Sequence, residues 1–245
     1  MARGPTYNVA FRRRREGKTD YQQRRGLVVS GLPRFVVRGS SKNVSTQLIN
    51  AEIGGDKVKV SAQSGELIRK YGWQGGGSNI PVAYLTGLLC GYKAKAEGVK
   101  EAILDIGLQA PSKGSRVFAA LKGFLDAGVI IPHDEKKLPD NKRIQGMHIV
   151  EYARKLSSNQ DAYHRQFSDQ LARGLLPEEL VEHFSLVKQK ISSSFQKDEV
   201  PKKGKGYDKA PEEVTRSKKT LHKEAPVKTA AKVKKRKKLE KLEEK

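Results

Sequence analysis

The hydrophobic period of the chain changes once, near residue 64, and that change limits the folds open to it. Before it, Val44, Thr46 and Leu48 recur at every second position. Val58, Val60 and Ala62 do the same, alternating with Lys57, Lys59 and Ser61. A half-buried strand requires this pattern, because successive side chains point to opposite faces of a sheet. Arg34-Phe35-Val36-Val37-Arg38 is a further β-rich run, between Gly31-Leu32-Pro33 and Gly39-Ser40-Ser41, and Gly54-Gly55-Asp56 reads as a hairpin turn. Together the runs predict an antiparallel meander with one apolar and one polar face.

After residue 64 the spacing is helical. Ser64 is placed to cap a short helix through Leu67, Ile68 and Tyr71 that stops at Gly72. Trp73-Gln74-Gly75-Gly76-Gly77-Ser78 reads as a flexible loop. It lacks the Gly-Lys-Ser/Thr ending of a phosphate loop. The strongest helix follows, capped by Ser78 or Asn79, with Pro81 in its first turn and an amphipathic stripe of Val82, Leu85, Leu89 and Tyr92. Lys93 and Lys95 suit the negative end of its dipole, and Gly98 ends it. Gly87 and Gly91 on this helix point to close helix–sheet contact. Glu101 to Ile106 is a compact strand. A helix carrying Val117, Phe118, Leu121, Phe124 and Leu125 comes next and stops at Gly128. Val129-Ile130-Ile131, ended by Pro132, reads as another strand. Strand, helix, strand is a βαβ unit with a right-handed crossover onto a parallel pair. The expected fold class is therefore α/β, a mixed sheet (antiparallel meander plus βαβ unit) covered by helices.

Four regions are expected along the chain: a basic arm at 1–26, an α/β core domain at 27–132, a helical C-terminal region at 133–195 and a lysine-rich extension at 196–245. In the third region, Ile144, Met147, Ile149, Tyr152 and Leu156 outline one helix. Asp161 to Leu171 outlines a second, and Pro177-Glu178-Glu179 opens a third carrying Leu180, Phe184, Val187 and Ile191. Their stripes would bury on the core domain or on a neighbour. The extension, with Lys228 to Lys245, is too charged to fold alone and is expected to be disordered when free.

Charge identifies the class of partner. Of the net +22, residues 1–25 carry +6 and residues 201–245 carry +10, leaving +6 for the 175 residues between. Cations massed at both ends of a moderately basic body call for a partner dense in phosphate. The N-terminal mass centres on Phe11-Arg12-Arg13-Arg14-Arg15-Glu16-Gly17-Lys18-Thr19-Asp20-Tyr21, followed by Arg24 and Arg25. Guanidinium groups fork onto phosphate oxygens two bonds at a time, and the rings of Phe11 and Tyr21 offer stacking surface. Arg34 and Arg38 beside the first strand extend this set, with Lys42, Lys57 and Lys59 on the meander. Lys113 and Arg116 before the βαβ helix complete a candidate phosphate-contacting rim that would read folded RNA by backbone and shape.

Other chemistries find no support. The single Cys90 excludes an internal disulfide and a cysteine-based zinc site, which makes a reducing, intracellular setting the default. His133, His148, His164, His183 and His222 show no metal spacing, so no metal or cofactor is expected. No serine sits on a Gly-x-Ser-x-Gly elbow, and Asp105 is the only acid inside a predicted core strand, where a two-metal nuclease needs several. No apolar run reaches the roughly 18 residues of a membrane span, and the N-terminus lacks a signal-peptide apolar region.

The arm motif, Phe11 to Tyr21, resembles the N-terminal signature of the universal ribosomal protein family that binds 5S rRNA, L-eighteen in bacteria and archaea and L-five in eukaryotes. Lys70-Tyr71-Gly72, Ala83-Tyr84-Leu85-Thr86-Gly87-Leu88-Leu89 and Val117-Phe118-Ala119-Ala120-Leu121-Lys122-Gly123 continue the likeness. Leu125-Asp126-Ala127-Gly128, Ile131-Pro132-His133, Tyr163 and Phe167-Ser168 extend it, in order, from about residue 5 to 190. Lacking the longer eukaryotic insertions, the chain resembles the archaeal type; the tail after about residue 195 has no match. The resemblance implies an α/β core, no enzymatic activity and no cofactor. It further implies a cytoplasmic place in the ribosome, binding 5S rRNA in the central protuberance beside the large-subunit rRNA and neighbouring proteins, including the second 5S-binding protein. Arg12–Arg15, Lys18, Tyr21, Arg24 and Arg25 would be the main RNA contact. The alternative is a non-ribosomal RNA-binding assembly factor using the same basic surface.

Overall fold

The computed structural model describes residues 4–196, so the expected lysine-rich extension lies outside the described residues. Two helices come first, α1 (Arg12–Arg15) and α2 (Tyr21–Val29), then strands β1 (Arg34–Gly39), β2 (Val44–Glu52) and β3 (Gly55–Gln63). Helices α3 (Ser64–Tyr71) and α4 (Ile80–Ala96), strand β4 (Ile103–Asp105) and helix α5 (Arg116–Asp126) follow. Helices α6 (Asn141–Gln145), α7 (Met147–Leu156), α8 (Gln160–Leu171) and α9 (Leu180–Gln196) complete the series. The four strands form one mixed sheet in the order β3-β2-β1-β4, antiparallel except for the parallel pair β1–β4.

The meander forms as its alternation predicts, with one departure. Leu48 pairs with Val60, but the next residue, Ile49, pairs with Val58, so Lys59 is an extra residue in the ladder. Such a bulge resets which face each later side chain joins. Val58 therefore lies across from Ile49 and is 48% exposed, rather than sharing the buried face of Val60 and Ala62.

The expected second strand of the βαβ unit is reduced to one parallel bridge, Glu101 to Ile130. Val129 and Ile131 are buried and Ile130 is exposed, as alternation requires. Pro132, without an N–H to donate, closes the stretch after that bridge.

Helix α4 is the centre of the molecule. Asn79 caps it through Val82 N at 3.1 Å, and every residue from Ile80 to Gly91 is buried. It is thus enclosed rather than amphipathic, packing on β2, β3 and α5. Its glycines serve helix–helix rather than helix–sheet contact. A methyl group at Gly87 would strike the Ala120 carbonyl, and one at Gly123 would strike that of Tyr84. Backbones so close place Cα–H groups against carbonyls and bring many atoms into dispersion contact. From α5, Phe124 stacks on Phe35 of β1 at 4.1 Å between centroids.

Three local features differ from expectation. Ser64 does not cap α3. Gln63 holds that position without a side-chain bond, and the Ser64 hydroxyl accepts from Val44 N and donates to Asn43 Oδ1, both at 3.2 Å. The Trp73 loop is packed rather than flexible: Trp73 is 1% exposed and its Nε1 donates to Gly76 O at 3.1 Å. Glycine at 75 and 77 admits the indole ring and the Lys42 carbonyl, where a Cβ would collide with each. Gly146, at φ 90°, divides the helix expected around residues 144–156 into α6 and α7. The stripe of α9, Leu180, Phe184, Val187 and Ile191, joins the same core as α4, so of the two burial partners left open by its spacing the core domain is the one it uses.

Candidate nucleic-acid interface

The polycation folds locally. Arg12–Arg15 form a single helical turn, and Phe11 meets Tyr21 with ring centroids 5.0 Å apart. Asp20 accepts from Gln22 N and Gln23 N, satisfying two free amides at the start of α2. An aspartate before Tyr-Gln-Gln-Arg-Arg is a recognisable helix start, the one local signal in the arm that the charge pattern obscures. The expected boundary between residues 26 and 27 falls inside α2.

From α2 the arm reaches the uncovered face of the sheet. Phe35 and Val37 face the helices, so Arg34, Val36 and Arg38 lie on the opposite side of β1. A ladder of alternating charge runs across this face. Asp56 accepts from Arg24 and from Arg34, both at 2.8 Å, and Asp105 accepts from Arg34 at 3.0 Å and Arg38 at 2.8 Å. Asp105 also accepts from Gly107 N at 2.9 Å, and its carbonyl accepts from Arg38 at 2.9 Å. Gly107, at φ +65°, leaves the space that the Arg38 guanidinium fills.

The rim expected from sequence is therefore altered. Arg34 is no part of it: the side chain is 3% exposed and committed to two carboxylates. Arg116 is half-buried and donates to the carbonyls of Ser40 (3.0 Å) and Ser78 (3.2 Å) and to the Ser78 hydroxyl, so its fork joins two loops. Arg38 and Arg24 are partly used by Asp105 and Asp56. Arg12 and Lys18 reach Glu16 at 3.6 and 3.0 Å, and Lys57 reaches Glu52 at 3.8 Å. Arg13 Nε donates to Thr19 Oγ1 at 2.8 Å. Arg14, Arg15, Arg25, Lys42, Lys59 and Lys113 are exposed, with no acid in reach among the described residues.

The two aspartates are the functional residues that sequence reasoning misses. Arg34 and Arg38 lie four apart on one strand, hence on one face, and Asp105 stands out as an acid in a core strand. Only the parallel pairing that sets Asp105 beside Val36 brings the three together.

Between arm and sheet lies a cleft of about 370 Å³, with Arg13, Lys18 and Gln23 on one side and Val36, Ile49 and Leu108 on the other. Elsewhere the chemistry is inert. Burial pushes the Cys90 thiol up to about 11, leaving no thiolate near neutrality. Among the described residues no three metal-ligating side chains cluster, and no helix is long and apolar enough to cross a membrane.

The family described as ribosomal large subunit proteins 60S L5, and 50S L18 matches this sequence over residues 5–100 and 92–134. The chain is 53% identical over 196 residues to the large ribosomal subunit protein uL18 of Aeropyrum pernix, spanning 80% of this chain and 92% of that protein. It is 52% identical over 191 residues to the protein of the same name from Methanothermobacter thermautotrophicus, spanning 78% and 98% respectively.

Proposed function

Because the chain belongs to the family of ribosomal large subunit proteins 60S L5 and 50S L18, in its archaeal type, we propose that it holds 5S rRNA on the large subunit. Membership makes it a structural component of the large ribosomal subunit and not an enzyme. Within that role it clamps 5S rRNA with the arm and attaches it to the large-subunit rRNA in the central protuberance of the cytoplasmic ribosome. There it meets neighbouring proteins, including the second 5S-binding protein.

The observation that carries this reading is the state of the arm. Arg14 and Arg15 are exposed and have no acid to satisfy them among the described residues, on a turn steadied by the Phe11–Tyr21 contact. Guanidinium groups held ready in this way suit the oxygens of a folded RNA backbone. Arg25, Lys42, Lys59 and Lys113 supply further unpaired charge.

Binding of 5S rRNA, measured at several salt concentrations, tests the proposal. Changing Arg12–Arg15 to alanine weakens it and flattens the dependence of log affinity on log salt, by about 0.7 to 0.9 for each phosphate no longer neutralised. Arg14→Ala with Arg15→Ala accounts for most of the effect, since Arg12 and Arg13 are partly occupied within the arm. An affinity for 5S rRNA untouched by all four changes refutes the role of the arm.

A further inference from the structure

The cleft between arm and sheet is not a plain phosphate groove. Its floor is apolar: Leu27 from α2, Val36 and Ile49 from the sheet, and Leu108 beyond β4. Above the floor stand Arg13 and Lys18. Five cations and three carboxylates line the whole cleft, and two of the carboxylates, Asp56 and Asp105, are neutralised within the arginine ladder. An isolated anion would gain from the rim and nothing from the floor. A peptide side chain would gain from the floor but leave the rim unanswered. A ligand with a flat, weakly polar body and an anionic tether satisfies both.

From this juxtaposition we propose that the cleft receives one unpaired nucleotide extruded from the bound RNA, its base on the apolar floor and its phosphate against Arg13 and Lys18. This rests on the reading that the chain binds 5S rRNA, and names what that site takes. A space of about 370 Å³ admits a single nucleotide and excludes a helix. A base leaves its stack at least cost where it is already unpaired. The Gln23 amide lines the same space and can both donate to and accept from a base edge.

Base-specific chemical probing of 5S rRNA, with the full chain bound, tests the inference. Dimethyl sulfate and carbodiimide report base edges, and hydroxyl radicals report the backbone. The wild-type chain protects the edge of one unpaired base about tenfold. Leu108→Trp fills the cleft from a residue that is 59% exposed, so the core is untouched. In that variant the base regains the reactivity of free RNA and affinity falls about tenfold, the scale of removing one stacked base, while backbone protection by the arm persists. Leu27→Trp, from the opposite wall, gives the same result. Equal base protection with open and filled clefts overturns the pocket and leaves 5S rRNA binding standing. No binding by the wild-type chain overturns both.

Discussion

Arg34 has a buried guanidinium, and its charge is tolerated only because Asp56 and Asp105 accept from both ends of the fork. Its Nε has no partner among the described residues. Removing one acid from such an arrangement leaves a charge in a poorly solvated place. Asp105→Ala is accordingly expected to destabilise the chain by about 3–5 kcal/mol, read from urea unfolding. Exchanging Arg34 and Asp105 together for Met and Leu recovers most of that loss, because the desolvation cost disappears with the pair. A loss below about 1 kcal/mol for Asp105→Ala would show that the ladder is wet and weak. At this scale the sequence is half legible. The spacing of Arg34 and Arg38 declares a shared face, yet by composition both pass for phosphate contacts. A carboxylate 71 positions away in sequence leaves no local trace.

Helices α4 and α5 touch through glycines, which makes their substitution informative. Gly123→Ala drives a methyl group into the Tyr84 carbonyl, so the helices must separate; about 1–3 kcal/mol of stability should go, seen in thermal melting. Gly26→Ala in α2 meets open space, and helix propensity alone should stabilise by about 0.5–1 kcal/mol. Helix α9 offers a pH-dependent counterpart. His183 Nε2 accepts from Gln74 N at 3.0 Å, and its ring lies 5.3 Å from that of Trp73. Burial, and then the charge of Lys190, lower its pKa from the ordinary 6.5. The folded chain thus binds fewer protons here than the unfolded chain. The stabilisation is complete above about pH 6.5 and is lost as pH falls through the lowered folded value. His183→Leu should flatten this acid limb, followed by the fluorescence of Trp73, the chain's single tryptophan. An unchanged limb would assign the acid sensitivity to another group.

The described core runs without a break from Phe35 and Leu48 of the sheet, through α4, to Leu180 and Ile191 of α9. Phe184→Ala should therefore cost about 3–5 kcal/mol. Trp73 fluorescence and far-ultraviolet dichroism should lose signal in one coincident transition, and two separate midpoints would contradict a shared core. Element identity came from the sequence itself. Period two made the meander, period 3.6 made the helices, Gly72 and Gly128 stopped two of them, and four arginines beside a phenylalanine marked the arm. Those signals act within a few residues, where steric preference and amphipathic spacing suffice to set local structure. Tertiary structure alone decided that Lys59 bulges, that α4 is wrapped on every side and that Trp73 anchors a loop. It also withdrew Arg34 and Arg116 from the surface. Each of these depends on which distant backbone or charge arrives alongside, and burial and electrostatic partnership are properties of that arrangement, not of the order of residues.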